Sequence, residues 1–355
     1  MACNIIPAQA TQPRCAKDRL MMSLPSCDLV FVHGAWTAPI AAGEPIAVFS
    51  PVTEEQIGTV AACGPQDVDA AVAAARAAFP AFSTSPREER LALLGRILAL
   101  MEERAEMLAE VISQEIGCAI TFARAAQVPF GLAHVRAAID VLRDFSFVSQ
   151  QGTTAIAREA IGVCGLITPW NWPLYQITAK LAPALAAGCT VVLKPSEMSP
   201  FSAQLLARII DDAGAPAGVF NMVTGAGEVV GAAMAAHRDI DMISITGSTR
   251  AGVLVAQAAA PTVKRVTQEL GGKSPNILLD DADFARVVPL GVAAGMRNAG
   301  QSCSAPTRML VPQHRLAEVE QLAAAAANAL IVGNPAEETT DLGPVANRNQ
   351  FDKVQ

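Results

Sequence analysis

The chain has 355 residues, enough for two domains or one large α/β unit with a substantial buried core. Its hydrophobic fraction of 52% leans on alanine rather than aromatics, and its formal net charge of −7 argues against a general binder of nucleic acid or anionic membrane. The longest apolar run, residues 181–193, falls short of the ~20 needed to span a bilayer and is broken by Pro183 and Gly188. The eight cysteines and four histidines are scattered without Cys-x-x-Cys or zinc-ribbon spacing, so no metal is expected and reduced thiols in a cytoplasmic protein are the expected state.

Residues 1–27 carry no helical or strand period. Arg14, Lys17 and Arg19 permit a transit-peptide reading, but without an amphipathic period or a long apolar core a disordered extension is the expectation, with Met21 or Met22 as alternative starts. Short strands are predicted over 30–36 and 47–60, and a helix over 66–79 from apolar positions at helical spacing. A longer helix should follow, capped by Ser85 with Glu88 completing a capping box, and closed by Gly117. From Ile161 strands and helices alternate: strands at 161–168, 189–194, 220–225 and 241–247, with helices at 174–187, at 200–213 and from Glu228. That rhythm predicts a doubly wound parallel sheet, whose ligands bind at the carboxyl ends of its strands. Gly271 and Gly272 interrupt it. A second α/β unit is expected from about Leu270, with strands at 276–279 and 307–311, a helix at 283–298, and an alanine-rich helix after them.

The chemistry-bearing residues sit where this pattern breaks. Thr168-Pro-Trp-Asn-Trp-Pro-Leu174 holds Asn171, an amide donor suited to a developing oxyanion, at the end of a buried strand. A packed aromatic loop with a turn asparagine is the plainer alternative. Lys194-Pro-Ser-Glu197 offers a donor and a bidentate acceptor suited to ribose hydroxyls, or else a solvated surface pair. An acid at a ribose repels a 2′-phosphate, which leans the motif to NAD over NADP. Ile245-Thr-Gly-Ser-Thr249 ends a strand in small residues able to approach a phosphate; Gly225-Ala-Gly227 alone is a weaker signal, and an ordinary turn explains either. Glu269-Leu-Gly-Gly-Lys-Ser-Pro275 puts a carboxylate before a Gly-Gly turn, where it could serve as a general base or pair with Lys273. Asn298-Ala-Gly-Gln-Ser-Cys-Ser-Ala-Pro306 surrounds Cys303 with small residues and backbone amides. An unperturbed thiol is only a few per cent ionised near pH 7, so such a donor-rich loop is what a nucleophile requires. The other seven cysteines lie in extension, helix or strand contexts and are expected to be inert.

In this order, TPWNWPL, KPSE, ITGST, ELGGKSP and NAGQSC resemble the NAD(P)-dependent aldehyde dehydrogenase superfamily, from about Val30 to the end of the chain. The resemblance implies an NAD-binding doubly wound α/β domain with an incomplete α/β catalytic domain. Its parts would be an N-terminal part of the NAD-binding domain at 28–147, a subunit-bridging ribbon at 148–160, the nucleotide-binding sheet at 161–269, and the catalytic domain from 270. It implies that Cys303 attacks an aldehyde to give a thiohemiacetal, its oxyanion held by Asn171 and the Cys303 amide. Hydride passes to the nicotinamide, and Glu269 activates water to hydrolyse the thioester. Trp170, Lys194, Ser196, Glu197, Gly227, Gly247, Ser248 and Leu270 would meet NAD, with NADP possible. The partners implied are a small aldehyde and a second copy or more in a homodimer or homotetramer, with neither nucleic acid nor membrane.

Gln268 and Arg297 depart from the family's usual apolar and aromatic residues, at positions expected to tune the entrance. The family continues well beyond Gln355, with a Glu-x-Phe-Gly-Pro-like segment at the nicotinamide ribose and a C-terminal pairing strand. This length expressed alone is therefore expected to be weak or inactive. The alternatives are an acylating, coenzyme A-dependent semialdehyde dehydrogenase and a non-catalytic protein or inactive fragment of the same fold. Glu269 favours hydrolysis over the acylating route.

Overall fold

The computed structural model describes residues 27–41 and 43–355, so most of the expected extension, with Cys3 and Cys15, lies outside the described residues. Cys27, assigned to that extension, is instead buried; it bridges to Val60, and its thiol donates to Gln204 Oε1 at 2.7 Å.

The chain opens with β1 (Val30–Val32) and β2 (Ala35–Thr37), then the hairpin β3 (Ile46–Phe49) and β4 (Gln56–Val60). Helix α1 (Pro65–Ser83) begins where the Asp67 carboxylate accepts from the Gly64 amide at 2.9 Å, tying down a free N–H of the first turn. It runs past the expected end at Phe79. The second expected helix is two, α2 (Arg87–Glu103) and α3 (Ala105–Ile116), broken at Arg104. Ser85 does not cap α2: its hydroxyl donates to Phe82 O at 2.7 Å and so serves the end of α1. Gly117, at φ 73°, closes α3 in the left-handed conformation as expected. Helix α4 (Val128–Asp144) follows a π-helical turn at Ala123–Gln127, and the exposed ribbon β5 (Val148–Gln151) and β6 (Thr154–Ala157) leads into the sheet.

The sheet elements are β7 (Val163–Ile167), α5 (Pro173–Ala187), β8 (Thr190–Lys194), α6 (Pro200–Asp212), β9 (Phe220–Met222), α7 (Ala232–Ala236), β10 (Met242–Gly247), α8 (Thr249–Ala259) and β11 (Arg265–Leu270). They form a seven-stranded sheet in the order β11-β10-β7-β8-β9-β1-β2, in which β11 to β9 are parallel and β1 and β2 antiparallel. The chain first winds from β7 outward to β9, then crosses to β10 on the other side of β7. The doubly wound expectation holds.

Strand β11 was not anticipated. In Arg-Val-Thr-Gln-Glu-Leu only the partly buried Val266 and Leu270 signal a strand, because at the sheet's edge its other face is open. The central strands are buried on both faces, which removes alternation and leaves plain apolar runs. Val163, Ile167 and Val192 join the core under α1, α7 and α8. Cys164, Leu166, Val191 and Leu193 join the larger core with α2 to α6. There α4 and α5 pack closely at Gly131, where a Cβ would stand 2.8 Å from Leu174 Cγ.

Beyond the sheet, β12 (Pro275–Ile277), α9 (Phe284–Met296), β13 (Arg308–Leu310) and α10 (Leu316–Asn328) share a small core of Leu278, Phe284, Val288 and Val319. A short helix, α11 (Arg348–Val354), ends the chain.

Candidate active site

Register decides what faces the cavity. Across β7, β10 and β11, Cys164 lies beside Met242 and Arg265, then Leu166 beside Ser244 and Thr267, then Thr246 beside Glu269. Cys164, Leu166, Met242, Ser244, Arg265, Thr267 and Glu269 form the floor of a cavity of about 880 Å³. Helix α5 supplies one wall through Tyr175, Gln176, Ala179 and Lys180. The end of α9 and the following loop supply another, through Arg297 and Ser302 to Pro306, with Cys303 among them. Glu269 and Cys303, 34 positions apart in sequence by their numbers, thus face one space. The Gly271–Gly272 turn brings them together, since a Cβ on Gly272 would stand 3.3 Å from the Cys303 carbonyl oxygen.

Asn171 reaches the same loop from the end of β7. Its side-chain amide donates to Gln301 O at 3.0 Å, leaving a second N–H on the same nitrogen. Trp172, not Trp170, lines the cavity. Its indole N–H donates to Ser302 Oγ at 3.1 Å, and its ring stacks on Phe130 with centroids 5.7 Å apart and meets Tyr175 at 5.8 Å. Burial raises the Tyr175 pKa, and the neighbouring Cys303 and Glu269 side chains raise it further. Gln268 faces away from the cavity, donating to Gly252 O at 2.6 Å, so of the two departures only Arg297 lines it.

The expected dinucleotide residues gather at carboxyl ends of parallel strands. Lys194 ends β8 with only 3% exposure, and its ammonium pairs with Glu197 at 2.9 Å. Ser196 is buried, and its hydroxyl accepts from the Met198 amide. Gly247 ends β10, Ser248 caps α8 by accepting from the Ala251 amide at 3.2 Å, and Leu270 ends β11. Gly227 opens a π-helical turn, Gly227–Gly231, with open space where a Cβ would lie. A buried cation held by a partly exposed carboxylate suits a ribose diol, and small residues at a helix start suit a pyrophosphate.

Other features escaped the sequence reading. Lys180 donates to Ser244 Oγ at 3.0 Å; burial lowers its pKa, against the pull of Glu269. In sequence Lys180, about two turns into an amphipathic helix, looks like an ordinary surface lysine. Cys164 and Cys189 wall the cavity, and hydrogen bonds from the Cys164 thiol and from the Gly162 and Ile161 amides bring the Cys189 thiol down, against its burial. Burial pushes the Cys27, Cys63 and Cys118 thiols upward. Among the described residues no group of His, Cys, Asp or Glu is arranged to hold a metal, and no helix is long and apolar enough to cross a membrane.

Comparison with known proteins identifies the family. Residues 36–355 match the model of the aldehyde dehydrogenase family. A 3-succinoylsemialdehyde-pyridine dehydrogenase of a Pseudomonas species is 52% identical over 326 residues, which is 92% of this chain and 68% of that protein. A crystal structure of aldehyde dehydrogenase C from Pseudomonas syringae, a cysteine-to-alanine mutant with NAD+ and octanal, superposes with a TM-score of 0.91. It shares 62% identity over 93% of this chain and 68% of its own. The aldehyde dehydrogenase of Bartonella henselae gives a TM-score of 0.90 at 42% identity, over 93% of this chain and 70% of its own. The chain belongs to the aldehyde dehydrogenase family, oxidoreductases that act on aldehydes with NAD(P).

Proposed function

We propose that the protein oxidises an aldehyde to a carboxylic acid through a covalent adduct on Cys303, released by water that Glu269 activates. The observation that carries this reading is the shared cavity: Cys303 and Glu269 both line it, and the Asn171 amide is hydrogen-bonded to the loop that bears the thiol.

The Cys303 thiol gives its proton to solvent water, and the Sγ–C bond forms as the carbonyl π pair moves onto oxygen. The remaining N–H of Asn171 and the Cys303 backbone amide receive that oxyanion. The C–H bond of this carbon then breaks as its oxygen re-forms C=O, giving a thioester; NAD(P), when bound, would supply the acceptor for the departing hydride. Lys194 and Glu197 hold its adenosine ribose, Gly227, Gly247 and Ser248 approach its phosphates, and Ser196, Leu270 and Trp170 border it. The Lys194–Glu197 geometry supports NAD over NADP, because a 2′-phosphate would meet the Glu197 charge. Glu269 then takes a proton from water, whose oxygen attacks the thioester carbon and displaces the Cys303 thiolate.

The aldehyde has an apolar or aromatic body, an inference supported by the Phe130, Trp172 and Tyr175 wall and by the octanal bound to the Pseudomonas syringae relative. The reduced thiols of Cys63, Cys118, Cys164, Cys189 and Cys303 support a cytoplasmic location, and the exposed β5–β6 ribbon supports pairing with a second copy.

Glu269→Gln in the product of the complete gene tests hydrolysis. Rapid mixing with aldehyde and NAD should still give an initial burst of NADH, followed by slow turnover that added coenzyme A does not restore. Turnover at the parent rate, or rescue by coenzyme A with acyl-coenzyme A as product, would contradict the proposal.

A further inference from the structure

Three loops must meet for this chemistry, and the groups that join two of them lie outside the reacting set. Helix α9 ends at Met296, and the chain reverses through Asn298, Ala299 and Gly300, all left-handed, with φ of 55°, 55° and 74°. Asparagine and glycine tolerate that region, but alanine does not do so readily, so the turn needs support from around it. The support is a cluster of amides. Asn298, 5% exposed, donates through Nδ2 to Asn171 O at 2.9 Å and to Gln301 O at 3.2 Å. Gln301 returns a bond from Nε2 to Asn298 O at 3.1 Å.

Gln127 completes the cluster from a distant element. It has no exposed surface, and its Nε2 donates to Asn171 O at 3.0 Å and reaches Asn298 Oδ1 at 3.4 Å. Its position follows from the π-helical turn Ala123–Gln127 just before α4; such a turn admits one extra residue and rotates the side chains after it. Its Oε1 is buried with no hydrogen-bond partner among the described residues, a cost that a side chain fixed only by packing would not need to bear.

Resting on the proposed roles of Asn171 and Cys303, we infer that Gln127 and Asn298 are positioning residues that clamp the Asn171 loop to the Cys303 loop. Both hold the Asn171 carbonyl, so the side-chain amide of Asn171 is fixed relative to Gln301, two residues before the thiol. Neither touches the aldehyde. They set where the oxyanion donor stands.

The test uses Gln127→Met, which keeps length but cannot donate, and Gln127→Glu, whose carboxyl donates only when protonated, each in the product of the complete gene. Expected is an acylation rate, read as the NADH burst, at least tenfold lower in Gln127→Met, with the KM for NAD within twofold of the parent. The rate of Gln127→Glu relative to the parent should rise as pH falls. In Asn171→Ala, adding Gln127→Met should cost little more, because Gln127 acts through Asn171. A burst rate unchanged in Gln127→Met, a flat pH ratio, or full additivity with Asn171→Ala would overturn the clamp. If Gln127→Met unfolds, the ratio in Gln127→Glu and the same cycle with Asn298→Asp carry the test. An Asn171→Ala protein that acylates at the parent rate would instead overturn the underlying reading of Asn171.

Discussion

Replacing Asn171 by alanine separates catalysis from scaffold. The side-chain amide has two N–H groups, and one is committed to Gln301 O at 3.0 Å. The other is one of two donors assigned to the oxyanion, the Cys303 amide being the second. Losing one such donor costs about 2.7–4 kcal/mol of transition-state stabilisation, or roughly 10²–10³ in kcat. The loop itself should persist, because its carbonyl still accepts from Gln127 and Asn298, and Gln301 O still accepts from Asn298 at 3.2 Å. Lys194 and Glu197, at the end of a different strand, are untouched. Stopped-flow NADH absorbance with a saturating aldehyde should therefore show the burst slowed by about 10²–10³ with the KM for NAD nearly constant. A loss below tenfold, or one confined to KM, would refute the assignment of that amide to the oxyanion.

Three further outcomes are expected. Glu197→Gln should raise the KM for NAD by about ten- to a hundredfold, the value of a hydrogen bond to a charged group, and narrow the preference for NAD over NADP, measured by initial rates with each cofactor. Glu115 is fully buried at the start of α6, where it accepts from the Phe201 amide at 2.9 Å and from the Ser202 hydroxyl; burial nevertheless raises its pKa to about 8. A carboxyl raised above its unfolded value contributes stability below about pH 4.5 that is lost as pH rises through about 8, so denaturation midpoints should fall across that window and Glu115→Gln should flatten the fall. Leu174→Ala should lower stability by about 2–5 kcal/mol in urea unfolding, since Leu174 is fully buried against Gly131 at the α4–α5 contact.

What the sequence made legible follows from how each segment is buried. The central strands β7 and β8 are covered on both faces, so Val-Cys-Gly-Leu-Ile and Thr-Val-Val-Leu-Lys stand out as short apolar runs. In edge strand β11 only Val266 and Leu270 are partly buried among exposed residues, so it reads as a polar approach to Gly271. Glu269 was recognisable by its motif, but its direction was not; that depends on the parity of β11 against β10, which also turns Gln268 to the opposite side. Trp170 and Trp172 are both bulky aromatics of one loop, and it is the place of Trp172 at the cap of α5 that puts it on the cavity wall. Gln127 and Lys180 carried no local signal. One is placed by a π-helical turn, the other by a strand that pairs with β7 only after the chain has crossed the sheet.

The central claim is that the aldehyde carbon becomes bonded to Cys303 and to no other thiol. Mixing Glu269→Gln with aldehyde and NAD, quenching in acid and mapping the peptides by mass spectrometry tests it directly. The expected result is an added acyl mass on the peptide containing Cys303, absent from the Cys303→Ala double variant. An acyl group carried instead by Cys189, which lines the same cavity, or undiminished aldehyde oxidation by Cys303→Ala alone, would contradict it.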